Sequence, residues 1–417
     1  MDRHDVIVLG AGLAGLRAAV RLTRSGLDVV VLEASDAVGG RQRTDAVDGF
    51  LLDRGFHVLN PSYPAIERWV DVDGLDLRRF PVGVRVRREG GLAELAHPLR
   101  HPSRIGATLA SGLLDPRELA ALAAWAGPAI VDPRGTIRAA AAGDDATLAE
   151  AWERGHVHGP LRREVLEPFL ASVVADGAGT TSDAFVRLLV RMFALGRPGL
   201  PARGIQALPE QLSAGARDDG AELRLDRRAV RVAREGAGVR VDVAGGDAVH
   251  ADAVVVAVGP EAVAGLVDVP APATRGLQTW WFDAPASPTR SRMLHVDGTR
   301  SGPVLHSTVV SGSVPTYAPA GRFLVEATCL LGDAVESDVR AQLRRIWGVE
   351  VDAWRLLRRD DVRHTLPAEL PPLAVAAPAR VADRTYVAGD HRDTASIHGA
   401  LVSGDRVARA VLADLGA

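Results

Sequence analysis

The sequence predicts a mixed α/β protein in which a dinucleotide-binding unit is interrupted by two insertions that build a second, α+β part. Three observations carry this reading. Val6–Leu9 and Val29–Leu32 are apolar runs that suit buried parallel strands. Between them Gly10, Gly12 and Gly15 stand in G-x-G-x-x-G spacing, and Leu13–Leu22 has the composition and apolar spacing of a helix. Near the other end, Tyr386–Ala388 reads as a short strand, Gly389-Asp390 as a turn and Ile397–Leu412 as a helix.

The first unit carries chemistry. Its glycines permit a tight turn and close approach of a pyrophosphate to the helix N-terminus, where N–H groups and the helix dipole favour anions. Glu33 ends the second run and can accept hydrogen bonds from both hydroxyls of an unphosphorylated adenosine ribose. Gly39-Gly40-Arg41 follows as a second glycine turn with a cation. Arg41 there can meet a phosphate as a charge-assisted partner; the other reading is a surface loop with solvated arginines.

The motifs G-A-G-L-A-G (10–15), E-A-S (33–35) and G-G-R-Q-R-T (39–44) resemble the N-terminus of the FAD-dependent flavin amine oxidase superfamily. That superfamily includes monoamine oxidases, protoporphyrinogen oxidases, and phytoene and squalene-type desaturases. The resemblance implies a Rossmann-type FAD-binding domain with an inserted α+β substrate domain of mixed sheet and helices. It also separates FAD from NAD, which spacing alone does not. It makes Ala11, Leu13, Ala14 and Ala34 cofactor-binding positions beside Gly10, Gly12, Gly15, Glu33, Gly40 and Arg41.

Composition bounds the rest. A chain of 417 residues, 47% of them hydrophobic, suits two domains with a sizeable core. A net charge of −3 points away from nucleic acid. All 49 basic residues are arginine, so no lysine is available for a Schiff base or to hold a water. The single Cys329, in an apolar run, reads as a buried thiol and excludes an intrachain disulfide or a cysteine metal cluster. It lies far from the C-terminal motif, so the flavin is expected to be noncovalent. The first strand starts by residue 6, with no room for a signal peptide, and no apolar run is long enough to span a membrane. The expected location is cytoplasmic, with no metal; the oligomeric state stays open.

Along the chain, Phe50–Leu52 suits a short strand and Asp53-Arg54-Gly55 a turn. The resemblance lays Gly55 against the flavin with Phe56 and His57 beside it, and the wording F-H-V-L-N-P-S-Y-P is closer to desaturases than to amine oxidases. His57 faces the flavin or substrate, or else it is a turn histidine bonded to backbone. A helix is expected over Ala65–Val70 and a hairpin over 80–101. Helical stretches follow at 103–114, 116–126, 147–154, 159–175 and 183–195, with 127–143 a weaker link. Segment 103–131 is apolar enough for a membrane-surface helix pair, but without a cationic face it reads better as packed inside the domain.

Residues 207–217 form a return helix. Strands follow at 222–225, 229–233, 239–243 and 253–258. By resemblance the Val230 backbone meets the adenine and Gly259 closes the last strand near the FAD. The second insertion shows strands at 279–282, 293–296, 304–310 and 322–330 and a helix at 333–347. Trp280 and Trp281 adjoin on a strand, so only one can line a cavity, and both can equally be packing residues. Trp281 and His364 join His57 as candidate catalytic residues. At the C-terminal end the resemblance assigns Gly389, Asp390, Ile397 and Ala400 to FAD. Two glycines on the last helix, Gly399 and Gly404, are expected to let the cofactor approach, since each costs about 1 kcal/mol against alanine.

The expected division is 1–64, 199–270 and 372–417 for FAD, and 65–198 and 271–371 for substrate. The expected reaction is hydride removal from a C–H bond of a mainly apolar substrate to flavin N5. Amine oxidation is the alternative, with Trp281 or Phe56 as a wall of an aromatic site. A third possibility, of another class, is a non-redox isomerase or scaffold that contains FAD.

Overall fold

The strand Arg3–Leu9 occupies the middle of an eight-stranded sheet because Val6–Leu9 is apolar at every position and is buried on both faces. In the computed structural model, which describes residues Asp2–Ala417, this strand runs parallel to Val29–Leu32 on one side and to Val249–Val256 on the other. Glu222–Arg224 and Thr385–Val387 extend the parallel set outward. The hairpin Ala229–Glu235 and Gly238–Val243 pairs antiparallel with the start of Val249–Val256.

Alternate residues serve alternate faces. Val6, Val8, Val29 and Val31 pack beneath the helices Leu13–Arg24, Ala207–Asp218 and Ile397–Leu415. Ile7, Leu9, Val30 and Leu32 pack against Val239, Val241 and Val263.

A second sheet of seven strands is drawn from the two insertions. Its order is Arg355–Pro367, Thr274–Ala284, Phe323–Leu330, Val304–Val309, Leu294–Asp297, Gly83–Arg88, Gly91–Ala96. Trp280, Phe282 and Val325 on one face pack under Val339, Leu343 and Ile346 of the helix Glu336–Trp347. The other face, with Leu277, Thr279, His306, Thr308 and Thr328, looks into the main cavity.

Several expectations need correcting. The expected link at 127–143 is helical: Pro116–Val131 is followed by Pro133–Ala141, and Asp132 caps the second helix through the Gly135 N–H at 2.8 Å. Pro133 is tolerated because a first-turn residue has no intrahelical N–H bond to lose. The 103–114 stretch yields only a short turn and the helix Ile105–Leu109, and Gly112 then takes φ +68°. Segment 103–131 is not fully packed: Leu113, Trp125 and Ala129 are buried, while Leu109 and Val131 are 69% and 84% exposed. No helix among the described residues is long and apolar enough to cross a membrane.

The strand Arg355–Pro367 went unread because its charged run, R-R-D-D, carries no apolar alternation. It sits at a sheet edge, where ion pairs such as Arg358–Asp45 at 2.8 Å replace apolar packing.

The close approaches of the two C-terminal helix glycines are to protein. A Cβ on Gly404 would lie 2.2 Å from the Ala14 carbonyl oxygen, and one on Gly399 2.0 Å from that of Thr394. These glycines let the C-terminal helix press onto the first helix and onto its own leading loop.

Candidate active site

A cavity of about 1040 Å³ joins the glycine turns of the first sheet to the inner face of the second. Its polar end is a cradle. The helix Leu13–Arg24 starts at Gly12 with no side chain capping it, and Leu13 and Ala14 line the cavity. The first-turn N–H groups therefore face the space with no intrahelical partner. Nothing lies within 4 Å of a Cβ built on Gly12, so a side chain there would project into that space. Gly10 holds φ +99°, and a Cβ on Gly15 would fall 2.0 Å from the Gly10 carbonyl. Those two glycines set the turn and the helix–strand distance, and Gly12 keeps the cradle open. Gly40, at φ +58°, rests against Gly12.

Glu33 is buried at the cavity wall beside Ala34. One carboxylate oxygen accepts the Ala11 N–H at 2.6 Å; the other accepts the Ser35 N–H at 2.9 Å and its hydroxyl at 2.7 Å. A carboxylate offers roughly four lone-pair positions. Glu33 thus retains capacity for one ribose hydroxyl, and a bond to both requires one internal partner to yield.

Arg41 lines the cavity, but its strong partner is protein. It donates to Asp390 at 2.6 Å and to the Thr365 carbonyl at 2.9 Å. Burial works against its charge, and Asp390 outweighs that, holding the guanidinium pKa above its ordinary value. The pair clamps two distant parts of the chain together while Arg41 stays at the cavity wall. Asp390 also accepts the His391 N–H at 3.1 Å.

Gly259, Gly389, Ile397 and Ala400 line the same cavity. So does Val230, half exposed, where the pairing slips between Ala229 and Arg231. That bulge leaves the Val230 backbone out of the ladder and available to a ligand.

Toward the second sheet, Gly55 holds φ +92° with Val362 and His57 beside it. The Phe56 N–H donates to the Thr279 hydroxyl at 3.3 Å. His57 Nδ1 lies 2.8 Å from the Gly55 carbonyl. A carbonyl only accepts, so Nδ1 carries the proton and Nε2 keeps its lone pair. Burial lowers the His57 pKa against the opposing pull of Asp53, so the ring is neutral near pH 7. His57 is thus bonded to backbone and lines the cavity at the same time.

The other two candidates lie elsewhere. Trp281 is wholly buried beneath the cavity wall, its indole donating to Asp360 at 2.9 Å. His364 is exposed, its Nδ1 2.7 Å from the Thr274 hydroxyl. Neither lines the cavity.

Residues unread in the sequence do line it. Phe80, Phe169, Leu189 and Phe193 make an apolar chamber. Tyr63 stacks on His398 at 5.5 Å, and burial pushes its hydroxyl up to about 12. His306, Thr308 and Thr328 place polar groups on the sheet face. In the sequence, the alternation H306-S-T308 inside an apolar strand was the signal that could have found two of them.

Comparison with known proteins decides the family. The flavin containing amine oxidoreductase family matches residues 13–412. The chain belongs to that family. Hydroxysqualene dehydroxylase of Rhodopseudomonas palustris is 28% identical over 98% of both chains. Other curated relatives are matched over a small part of their length: putrescine oxidase of Kocuria rosea is 45% identical over 73 residues, 18% of this chain and 15% of that protein. Among solved structures, cyclohexylamine oxidase of Brevibacterium oxydans superposes with a TM-score of 0.73 at 17% identity, covering 100% of each chain. This amine oxidoreductase relative is thus a flavin-dependent oxidoreductase with the family's fold. The open Gly12 cradle, the helix N-terminus and Glu33 fit a flavin dinucleotide.

Proposed function

We propose that the protein uses noncovalent FAD to take a hydride from a C–H bond of a mainly apolar substrate, in the manner of a desaturase or dehydrogenase. The observation that carries this reading is the shape of the cavity: one continuous space with a polar dinucleotide cradle at one end and an aromatic, aliphatic chamber at the other. The similarity to hydroxysqualene dehydroxylase along the full chain supports it. The share of work follows the two sheets, with residues 1–64, 199–270 and 372–417 holding FAD and 65–198 and 271–371 holding substrate.

When bound, FAD supplies the two-electron acceptor. The Gly10–Gly15 turn and the N–H groups behind it would hold the pyrophosphate, Glu33 the ribose, the Val230 backbone the adenine, and Gly55, Ile397 and Ala400 the ring system. The apolar walls orient the chain and exclude water. Neutral His57, with Nε2 unprotonated, would accept the proton released from the substrate.

Cys329 supports noncovalent binding: it is buried in the second sheet's outer core, and burial, with Glu326 adding, pushes its thiol up to about 12. Tyr317 is fixed in the core by Asp53 at 2.9 Å, and Tyr386 is bonded to Asp414. Neither lines the cavity, so no tyrosine pair is available to cage an amine.

Two measurements test the proposal. Acid precipitation should release all the yellow colour as FAD. Anaerobic mixing with a polyprenoid should bleach the flavin absorbance; bleaching by amines alone would replace this reading with amine oxidation, and no bleaching by either would favour a non-redox role.

A further inference from the structure

Four large apolar side chains stand in water on segments next to the chamber wall. Leu99 is 89% exposed, Leu109 69%, Leu195 49% and Ile105 40%. Ile105 and Leu109 are one turn apart on the helix Ile105–Leu109 and share its outer face. Thr108 is turned inward and accepts the Ala96 N–H at 3.0 Å, which seats that helix on the strand Gly91–Ala96. Leu99 stands in the turn that follows this strand. The Arg100 guanidinium ties the turn to the end of the helix Asp183–Leu195, donating to the Leu195 carbonyl at 2.8 Å and to that of Gly196. Hydrogen bonds thus gather the exposed apolar groups from two distant stretches of chain.

The charges around them are mostly of one sign. Residues 95–114 and 191–203 contain no Asp or Glu. Arg100 and Arg79 spend their hydrogen bonds on carbonyls, Arg79 on that of Arg197 at 3.3 Å, and Arg197 itself is exposed. Arg104 meets the buried Glu94 at 3.3 Å, but that carboxylate is shared with Arg85 at 3.2 Å. Asp76 is paired with Arg78 at 2.7 Å. Burial lowers the His97 pKa, and Arg100, His101 and Arg197 lower it further, so the imidazole sits among cations. Segment 103–131 shows no cationic face when read along the chain. The fold supplies one from its neighbours Arg79, Arg100 and Arg197.

The patch adjoins the chamber. Phe80, Pro81, Val82, Phe193 and Pro198 line the cavity. Arg79 and Arg197 precede two of them in the chain, the Phe80 N–H donates to the Pro198 carbonyl at 2.9 Å, and the His97 N–H donates to the Val82 carbonyl at 3.0 Å. We propose that this arginine-framed apolar patch docks the protein on the surface of an anionic phospholipid bilayer, with the chamber wall set against the lipid. Leu99, Ile105, Leu109 and Leu195 would enter the boundary of the acyl chains, while the arginines meet lipid phosphates at the headgroup level. A second copy of the chain, docked through the same patch by a two-fold axis, would bring arginine against arginine.

Docking deepens the apolar-substrate reading, because a bilayer holds such molecules beside the chamber, and the test keeps the two apart. The FAD-loaded protein is sedimented with sucrose-filled vesicles of phosphatidylcholine alone, and of phosphatidylcholine and phosphatidylglycerol in equal parts. The wild type should bind the anionic vesicles, should bind the neutral ones far less, and should weaken as salt is raised. The Leu99→Ser/Leu109→Ser double variant should lose at least about tenfold in vesicle affinity, the factor that partial burial of a leucine side chain carries. Both positions are exposed, so flavin content and urea midpoint should match the wild type. Arg197→Gln should weaken binding to anionic vesicles and flatten the salt dependence. Absence of binding to anionic vesicles overturns the proposal, as does binding that the leucine variant leaves unchanged. Self-association without vesicles, abolished in the leucine variant, would give the patch to a second copy instead; a monomer that ignores vesicles would leave it to an acidic protein. Docking without bleaching of the flavin by a polyprenoid keeps the surface and removes the apolar-substrate reading, and bleaching without docking does the reverse.

Discussion

Arg41 and Asp390, 349 residues apart in the chain, meet at 2.6 Å between a guanidinium nitrogen and a carboxylate oxygen. Asp390 is nearly inaccessible, whereas a third of the Arg41 side chain is open. The pair fastens the second glycine turn to the turn that leads into the C-terminal helix. Removing the arginine leaves a buried carboxylate without its counter-charge. Arg41→Met is therefore expected to lower stability by about 3 kcal/mol, and the Arg41→Met/Asp390→Asn pair should cost less than the sum of the single changes. Urea unfolding of the four proteins in a double-mutant cycle measures this. Additive losses would mean that the contact is not an energetic unit.

Glu33 separates two roles by its three internal bonds. Glu33→Gln keeps an oxygen to accept one N–H but loses charge and one acceptor; Glu33→Ala loses everything. FAD retention should fall in both, with Ala the worse, by about tenfold or more per charge-assisted bond lost. Dialysis followed by flavin fluorescence of the supernatant gives the ranking. Full retention in Glu33→Ala would take the ribose away from this residue.

Burial pushes the Glu369 carboxyl up to about 8, while it accepts the Ala395 N–H at 2.6 Å. In the unfolded chain it ionises near its ordinary 4.5. Between those values the folded protein holds a proton that the unfolded chain has released, so stability falls as pH rises across this window. The slope from this one group is about 1.4 kcal/mol per pH unit. Glu369→Gln preserves the acceptor to Ala395 and removes the titration. Its stability should decline less steeply between pH 5 and 8 than that of the wild type, as read from denaturation curves at several pH values; parallel profiles would count against the buried acid.

Gly404→Ala reverses the usual helix preference. Alanine ordinarily favours a helix over glycine by about 1 kcal/mol. Here its methyl would fall 2.2 Å from the Ala14 carbonyl oxygen, an atom of packed backbone. A net loss of about 1–3 kcal/mol is expected, as for other overpacked contacts. Because Ala14 opens the cradle, flavin affinity should fall too. A thermal melt of apo and FAD-loaded protein reads both, and a variant as stable as the parent would show that the helices can separate without penalty.

Much of the first sheet was legible because parallel strands buried on both faces leave plain apolar runs, and because glycines at Gly10 and Gly15 have no substitute at those contacts. The positions that the resemblance assigned to FAD, Ala11 and Gly15 excepted, line one cavity. The substrate side was much less legible. Its sheet places polar residues such as His306 inward, against the usual pattern. Its edge strand is written in charges. Trp281 looked chemically attractive, but its indole is held by Asp360 under the wall. Local patterns report which way a residue faces; they do not report what stands in front of it. The helix glycines taught a related lesson, since close approach was read correctly and its partner was not.

The cradle draws on both ends of the chain, from Gly10 to Ala400, and its central sheet is not complete until Thr385–Val387 has docked beside Val254–Val256. During synthesis the nascent polypeptide therefore carries a glycine turn with no opposite wall for almost its entire length. The wall formed by Gly389, Asp390, Ile397 and Ala400 is the last to be made. Chains that stall or are cut before that point lack one wall of the cradle and cannot finish the sheet, and they expose Val254 and Val256 as an open edge for other strands.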